Sequence, residues 1–338
     1  MRSFQTRASP EVEGSVTPDR QQPSILVVGM GSIGGQYLAA LRDGGFTDIA
    51  VLPLTSRQRP DASELEPFRY RGEQRDWDLV IICSPTNLHL DDYARWRPHC
   101  GTILLEKPIA ANSQDVLKAD GLLQDRRACV SAPLRQHAGY RELASWLPRL
   151  GQIRDVEITY TSWLPNWRPQ RDHRVGYWAD PRQGGVLRDL VHEIDYACAL
   201  FGSPTALEAT LTSGMESLEI PVEVAAQLTW WSSAGTKVSV RLDCASHELQ
   251  RSATVWGAAG SAHWNVLTGE VRILDQHQAV LLDRACPTTS REALLSQARC
   301  ALEPDCLPTL TTPRQALQAL QVIEAAKTSA LTGERVGL

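Results

Sequence analysis

The stretch Ser24-Ile-Leu-Val-Val-Gly-Met-Gly-Ser-Ile-Gly34 decides the fold. It begins as a short apolar run ending at Val28, fit for a strand buried on both faces. The run enters Gly29-x-Gly31-x-x-Gly34, and an amphipathic helical pattern continues to about Arg42. In a strand–turn–helix setting this spacing is a dinucleotide-binding signature, and a plain glycine-rich turn is its weaker rival. The first glycine permits the tight turn, the second lets the backbone approach a pyrophosphate, and the third lets helix and strand pack closely. Free N–H groups at the helix start, where Ser32 and Ile33 lie, then receive the phosphates.

Working outward, Ile49–Leu54 is the next strand, and its end should meet the ribose. An acidic residue there selects a free 2′-hydroxyl. This chain has Thr55-Ser56-Arg57 instead, and a guanidinium suits a 2′-phosphate. NADP is therefore expected, with NAD possible. Asp78–Cys83 leads into Ser84-Pro85-Thr86-Asn87-Leu88-His89, Gly101–Leu105 ends in Glu106-Lys107-Pro108, and Ala128–Ala132 is a further strand. Strands alternating with helices predict a parallel, doubly wound sheet. Ligands bind beyond the carboxyl ends of such strands, where Gly29, Ser84 and Lys107 fall.

Gly184-Gly185-Val-Leu-Arg-Asp189-Leu-Val-His192-Glu-Ile-Asp195 combines a glycine pair with an apolar periodic run. The three-residue steps from Asp189 to His192 to Asp195 predict one shared helix face, on which a carboxylate sets the imidazole's tautomer and pKa. The plainer alternative is a charged, solvated helix start.

Downstream, Val156–Trp163, Ala206–Ser213, Val222–Ser232, Thr236–Ala245, Ser252–Trp256 and Val271–Leu274 are β-rich runs separated by turn residues. They predict an open, largely antiparallel sheet. Pro313–Ala330 reads as an amphipathic closing helix with proline in its first turn. Between Trp163 and Trp178 lie three arginines and four aromatics in sixteen residues. Aromatic faces stack on sugar rings, and arginines fork to carboxylates or phosphates. Trp167, Arg168, Arg171, Arg174 and Tyr177 are therefore candidate substrate contacts, and three clustered arginines call for an anionic substrate. A protein interface favours the same residue types.

As a set, Gly29-x-Gly31-x-x-Gly34, Cys83-Ser-Pro-Thr-Asn-Leu-His89, Glu106-Lys107-Pro108 and Gly184-Gly185…Asp189…His192-Glu-Ile-Asp195 resemble the GFO/IDH/MocA oxidoreductases over roughly residues 24–330. The resemblance implies a Rossmann domain followed by an α+β domain whose sheet often makes oligomer contacts, so a homo-oligomer is expected. It implies that Lys107, Asp189 and His192 surround the substrate carbon and the nicotinamide. The cofactor is expected on Gly29, Gly31, Ser32, Ile33, Gly34, Thr55, Ser56, Arg57, Ser84, Pro85, Thr86, His89, Glu106 and Lys107. In this family the Lys–Pro bond is often cis. Many members place the aspartate four residues before the histidine, whereas here the gap is three.

The 338 residues divide on this reading into a disordered leader (1–23), a dinucleotide-binding domain (24–132) and a substrate domain (133–338). A net charge of −5 argues against a nucleic-acid partner. No apolar run approaches the ~20 residues of a membrane span. Eight cysteines without CxxC spacing argue against zinc and for reduced thiols in a cytoplasmic protein. No P-loop, serine-hydrolase elbow or metal-ligand cluster competes. The expectation is an NAD(P)-dependent oxidoreductase acting on a hydroxyl or ketone of an anionic sugar, either a sugar nucleotide or a sugar acid. A redox-neutral lyase or epimerase that retains its cofactor and a non-catalytic NAD(P)-binding regulator are the rivals.

Overall fold

The computed structural model describes residues 22–53, 65–72, 74–181, 184–215 and 218–338. The opening apolar run forms β1 (Ile25–Val28), with all four residues fully buried. It is followed by α1 (Ser32–Asp43), β2 (Ile49–Leu52), β3 (Trp77–Ile82), α2 (His89–Trp96), β4 (Cys100–Leu105), α3 (Ser113–Lys118) and β5 (Ala128–Val130). The five strands form a parallel sheet in the order β2-β1-β3-β4-β5. A parallel bridge between Val51 and Arg69 extends it beyond β2, so the chain crosses over on both sides of β1. The carboxyl ends of β1 and β3 flank that reversal, where open α/β sheets bind ligands.

After α4 (Ala138–Trp146) comes a nine-stranded sheet, ordered β13-β12-β11-β10-β6-β9-β8-β7-β14. Its strands are β6 (Ile153–Trp163), β7 (Ala206–Ser213), β8 (Glu223–Trp231), β9 (Lys237–Asp243), β10 (Ala245–Gly257), β11 (Gly260–Asn265), β12 (Glu270–Asp275), β13 (Val280–Ala285) and β14 (Val336–Gly337). Only the central β6–β9 pair is parallel; every other pairing is antiparallel. Two-residue periodicity divides the faces. Leu228 and Trp230 are buried while Trp231 is 39% exposed. On the inner face lie α5 (Val186–Asp189), α6 (Val191–Phe201) and the closing helix α8 (Pro313–Thr332). The closing helix starts with a capping box between Thr312 and Gln315 and ends on Gly333 in the left-handed region.

The packing does not follow a boundary at residue 132. Helix α7 (Ser290–Leu302) returns to α1, and Leu294, Ala298 and Ala301 join the core made by Ile25, Val27 and Leu41. The first unit is therefore completed by residues from the far end of the chain. The expectation of eight reduced thiols is also corrected. Cys300 at the end of α7 and Cys306 in the following turn form a disulfide, a six-residue spacing that no redox motif marks. No helix among the described residues is long and apolar enough to cross a membrane.

Candidate active site

The glycine turn has the geometry that its spacing predicts. Gly29 has φ +91°, and a Cβ there would lie 2.6 Å from the Cys83 and Ser84 backbone. A Cβ on Gly34 would collide with the Gly29 carbonyl oxygen. On Gly31 it would meet nothing within 4 Å. Thus Gly29 and Gly34 are required by the protein itself, while Gly31 leaves open a space that a ligand can use. The start of α1 has no side-chain cap and no acidic residue in its first turn, where an acid would repel an anion. These features fit a dinucleotide pyrophosphate. Ser32 is exposed and Ile33 partly so. Thr55, Ser56 and Arg57 lie outside the described residues.

Ser84, Pro85 and Thr86 follow β3 at the same edge. His89 is placed differently from expectation. It is buried, with Nδ1 2.9 Å from the Pro108 carbonyl and Nε2 2.9 Å from the Ser84 carbonyl. Both ring nitrogens face backbone carbonyls, of which a neutral ring can donate to one, and the side chain is buried beneath the strand end. Glu106 is likewise turned inward. One carboxylate oxygen accepts the Lys107 backbone N–H at 3.2 Å, and burial raises its pKa. It lies over a polar cluster of Tyr37, Ser131 and Gln297, with Tyr37 Oη and Ser131 Oγ 3.1 Å apart.

The Lys107–Pro108 bond is cis. From this corner Lys107 Nζ donates to the Asp189 carbonyl oxygen at 2.7 Å and lies 3.8 Å from Asp189 Oδ1. The expectation of one continuous helix through Asp189 and His192 is corrected. Leu190, at φ −97° and ψ 27°, separates α5 from α6, so shared spacing no longer implies a shared face. Asp189 sits against Lys107. Asp195 is held bidentately by Arg135, at 2.7 Å to each oxygen, and is a structural anchor. Neither ring nitrogen of His192 has a hydrogen-bond partner among the described residues. Burial, then the charges of Lys107 and Arg251, hold its pKa well below the ordinary imidazole value. His192 is therefore a neutral imidazole with a free lone pair beside an ammonium group. A small cavity behind it is lined by Lys107, His192, Val130, Ser131 and residues of α8.

The second glycine of the preceding pair, Gly185, is explained by Glu223. A Cβ on Gly185, at φ +98°, would fall 2.6 Å or less from its carboxylate, which also pairs with Lys327 at 3.2 Å.

The Trp/Arg segment divides in two. Trp167 is partly buried, donates from Nε1 to Ser162 Oγ at 2.8 Å, and packs edge-on against Tyr160 and Trp178. Trp178 is buried and has no face left for a sugar. Arg174 corrects the view of three unbalanced cations. Asp172 grips it at 2.9 Å and Glu219 at 2.6 Å, so it needs no ligand anion. Arg168 and Arg171 are exposed and unpaired among the described residues. The side chain of Tyr177 lies outside the described set.

Sequence reasoning missed Arg251 and Glu193. Glu193 is fully buried, and its Oε1 accepts from Arg251 Nε at 2.6 Å. The Arg251 guanidinium also lies over the Tyr160 ring at 4.9 Å. The only available signal was the acid next to His192, since a buried carboxylate demands a cation from elsewhere in the chain.

Residues 148–263 match the C-terminal domain of the GFO/IDH/MocA proteins. The chain is 29% identical over 198 residues to the inositol 2-dehydrogenase of Rhizobium meliloti, covering 54% of this chain and 57% of that one. It is 28% identical over 152 residues to the scyllo-inositol 2-dehydrogenase (NADP(+)) IolU of Bacillus subtilis, covering 41% and 45%. The matched regions thus span about half the length of these curated relatives. A solved inositol dehydrogenase homolog from Azotobacter vinelandii, complexed with NAD+, superposes with a TM-score of 0.80 at 18% identity, covering 94% of this chain and 98% of that one. At that identity the likeness establishes the two-sheet fold.

Proposed function

We propose that the chain is a member of the GFO/IDH/MocA oxidoreductases, whose C-terminal domain residues 148–263 match, and that it is an NAD(P)-dependent dehydrogenase acting on a CH–OH group of a polyhydroxylated, sugar-like substrate. The observation that carries this reading is the neutral, unpartnered His192 beside Lys107, at the edge where Gly31 leaves space for a dinucleotide. Gly29, Gly31, Gly34 and the start of α1 would hold the pyrophosphate, and Ser84–Thr86 and Lys107 would border the nicotinamide end. When bound, the nicotinamide supplies the hydride acceptor or donor.

The chain's own residues then handle the proton and the charge. In the oxidation direction the His192 lone pair accepts the substrate hydroxyl proton. The Lys107 ammonium donates to the same oxygen and stabilises its developing negative charge. Asp189 holds Lys107 in place through its backbone and side-chain oxygens. Trp167 offers an amphipathic face beside the site, and Arg168 and Arg171 would receive an anionic substituent at its mouth, as on a sugar nucleotide or a sugar acid. Thr55, Ser56 and Arg57 favour NADP over NAD, and the outer face of the nine-stranded sheet, where Trp231 is exposed, is the proposed homo-oligomer contact.

The test is to mix the protein with NAD+ or NADP+ and a panel of cyclitols, aldoses, sugar acids and sugar nucleotides, and to follow nicotinamide absorbance. Net reduction of free cofactor that disappears in His192→Ala supports the reading. Substrate conversion without net cofactor change favours a redox-neutral enzyme.

A further inference from the structure

Arg251 stands where the proposed reaction occurs, yet no step above uses it. It lies on β10 opposite Tyr160 of β6, and both face the layer formed by α6. Its Nε is committed to Glu193, the residue next to His192. Neither Nη group has a hydrogen-bond partner among the described residues. Neither is sealed from solvent, for the side chain is 20% exposed and contributes no buried orphan atom. The guanidinium carbon lies 4.9 Å over the Tyr160 ring, a cation–π contact, and Trp167 packs against that same ring. An arginine pinned through Nε and one face, with its outer donors open, is a preorganised two-donor fork.

The charges around it limit what the fork can take. Glu193 is fully buried and balances Arg251, Asp189 stands beside Lys107, and His192 is neutral. A second carboxylate brought here would be a buried anion without its own counter-charge, which is costly. Two neighbouring hydroxyl oxygens accept two N–H bonds and add no charge. Resting on the dehydrogenase reading above, we propose that Arg251 is a substrate-binding residue whose Nη groups hold a vicinal pair of neutral hydroxyls next to the carbon served by His192 and Lys107. The reacting ring is then uncharged, and any anionic substituent lies outside, toward Arg168 and Arg171.

The test uses the full chain, myo-inositol and glucose, their monodeoxy analogues, and glucuronate. Arg251→Lys keeps a cation for Glu193 but loses the fork. It should raise KM on the order of 10-fold or more, with a smaller change in kcat, since two donor bonds to neutral oxygens are lost. The wild type should discriminate against the analogue lacking one hydroxyl of the pair, and Arg251→Lys should largely lose that discrimination. A merely structural arginine moves stability and not this ratio. If Arg251→Lys fails to fold, the paired variant Glu193→Gln/Arg251→Gln, which leaves no lone buried charge, must show the same loss of discrimination. Unchanged discrimination in a folded variant overturns the assignment while leaving the dehydrogenase reading intact. A wild-type preference for glucuronate that depends on Arg251 replaces the diol with a carboxylate and also overturns it. No turnover of any polyol by the wild type brings down the dehydrogenase reading, and this proposal with it.

Discussion

The same substitution, glycine to alanine, should have opposite consequences at Gly31 and Gly34. At Gly31 the new methyl meets nothing within 4 Å, and φ is −68°, a conformation alanine adopts freely. Alanine is a poorer N-cap than glycine by about 0.5–1 kcal/mol, and it restricts the unfolded chain by about 0.4–1 kcal/mol. These terms nearly cancel, so the apo protein should melt within a degree or two of wild type. Cofactor binding should suffer, because the methyl occupies the space through which the backbone meets the pyrophosphate. Losing one charge-assisted N–H bond costs roughly 1.5–3 kcal/mol, or about 10- to 100-fold in Kd. At Gly34 the methyl would collide with the Gly29 carbonyl oxygen, and the strand–helix packing must open. Overpacking of that kind costs about 1–3 kcal/mol, so Tm should fall by several degrees without any ligand. Thermal melts of the apo proteins and titration of tryptophan fluorescence with NADPH and NADH measure both effects. If Gly31→Ala bound cofactor like wild type, or melted as low as Gly34→Ala, the division of labour among the glycines would be refuted.

Arg57→Ala should weaken NADPH more than NADH, and equal titration curves for both cofactors in the wild type would remove the case for NADP. Arg174→Ala should leave KM nearly unchanged, because Asp172 and Glu219 already satisfy it, whereas Arg168→Lys should raise KM for a substrate with an anionic substituent. The kcat/KM for oxidation should show no fall at pH 6.5, because burial, Lys107 and Arg251 keep His192 neutral well below that pH; an acid limb near 6.5 that His192→Ala abolishes would contradict this. His137, buried against Trp264 with Arg251 and Arg141 nearby, has its pKa held down to about 4. The native ring therefore stays neutral while the unfolded one takes a proton below about pH 6.5. Stability is full above that value and is lost as pH falls toward 4. Between pH 7 and 5 the loss is about 2 kcal/mol, and urea unfolding of His137→Gln should lack that part of the slope.

The glycine turn, the parallel sheet and the Lys107 corner were legible because each is local: a buried run, a fixed spacing and a strand end lie within a few residues. Most strands of the second sheet were legible from alternation, though β11, β13 and the two-residue β14 were not, since His263 and the exposed Val280–Ala285 blur the pattern and β14 is too short to show one. The site was legible in its residue types and misread in its pairings. Spacing placed Asp189 and Asp195 with His192, but the break at Leu190 and the competing cations Lys107 and Arg135 set their real partners. Arg251 was hidden because it pairs with Glu193 across 58 residues, and a lone basic residue in Glu-Leu-Gln-Arg-Ser reads as solvated. Contacts of that separation, like the return of α7 to α1, are decided by packing rather than by local pattern.

The central claim is that His192 takes a substrate proton while the nicotinamide takes the hydride. The most direct measurement is a single-turnover reaction of the wild type and His192→Ala with NADP+ or NAD+ and an active polyol, reading nicotinamide reduction alongside cofactor affinity. A positioned base predicts a rate loss on the order of 10²–10⁴ with cofactor Kd nearly unchanged. A His192→Ala protein that reduces cofactor at the wild-type rate, or that loses cofactor binding itself, would contradict the account.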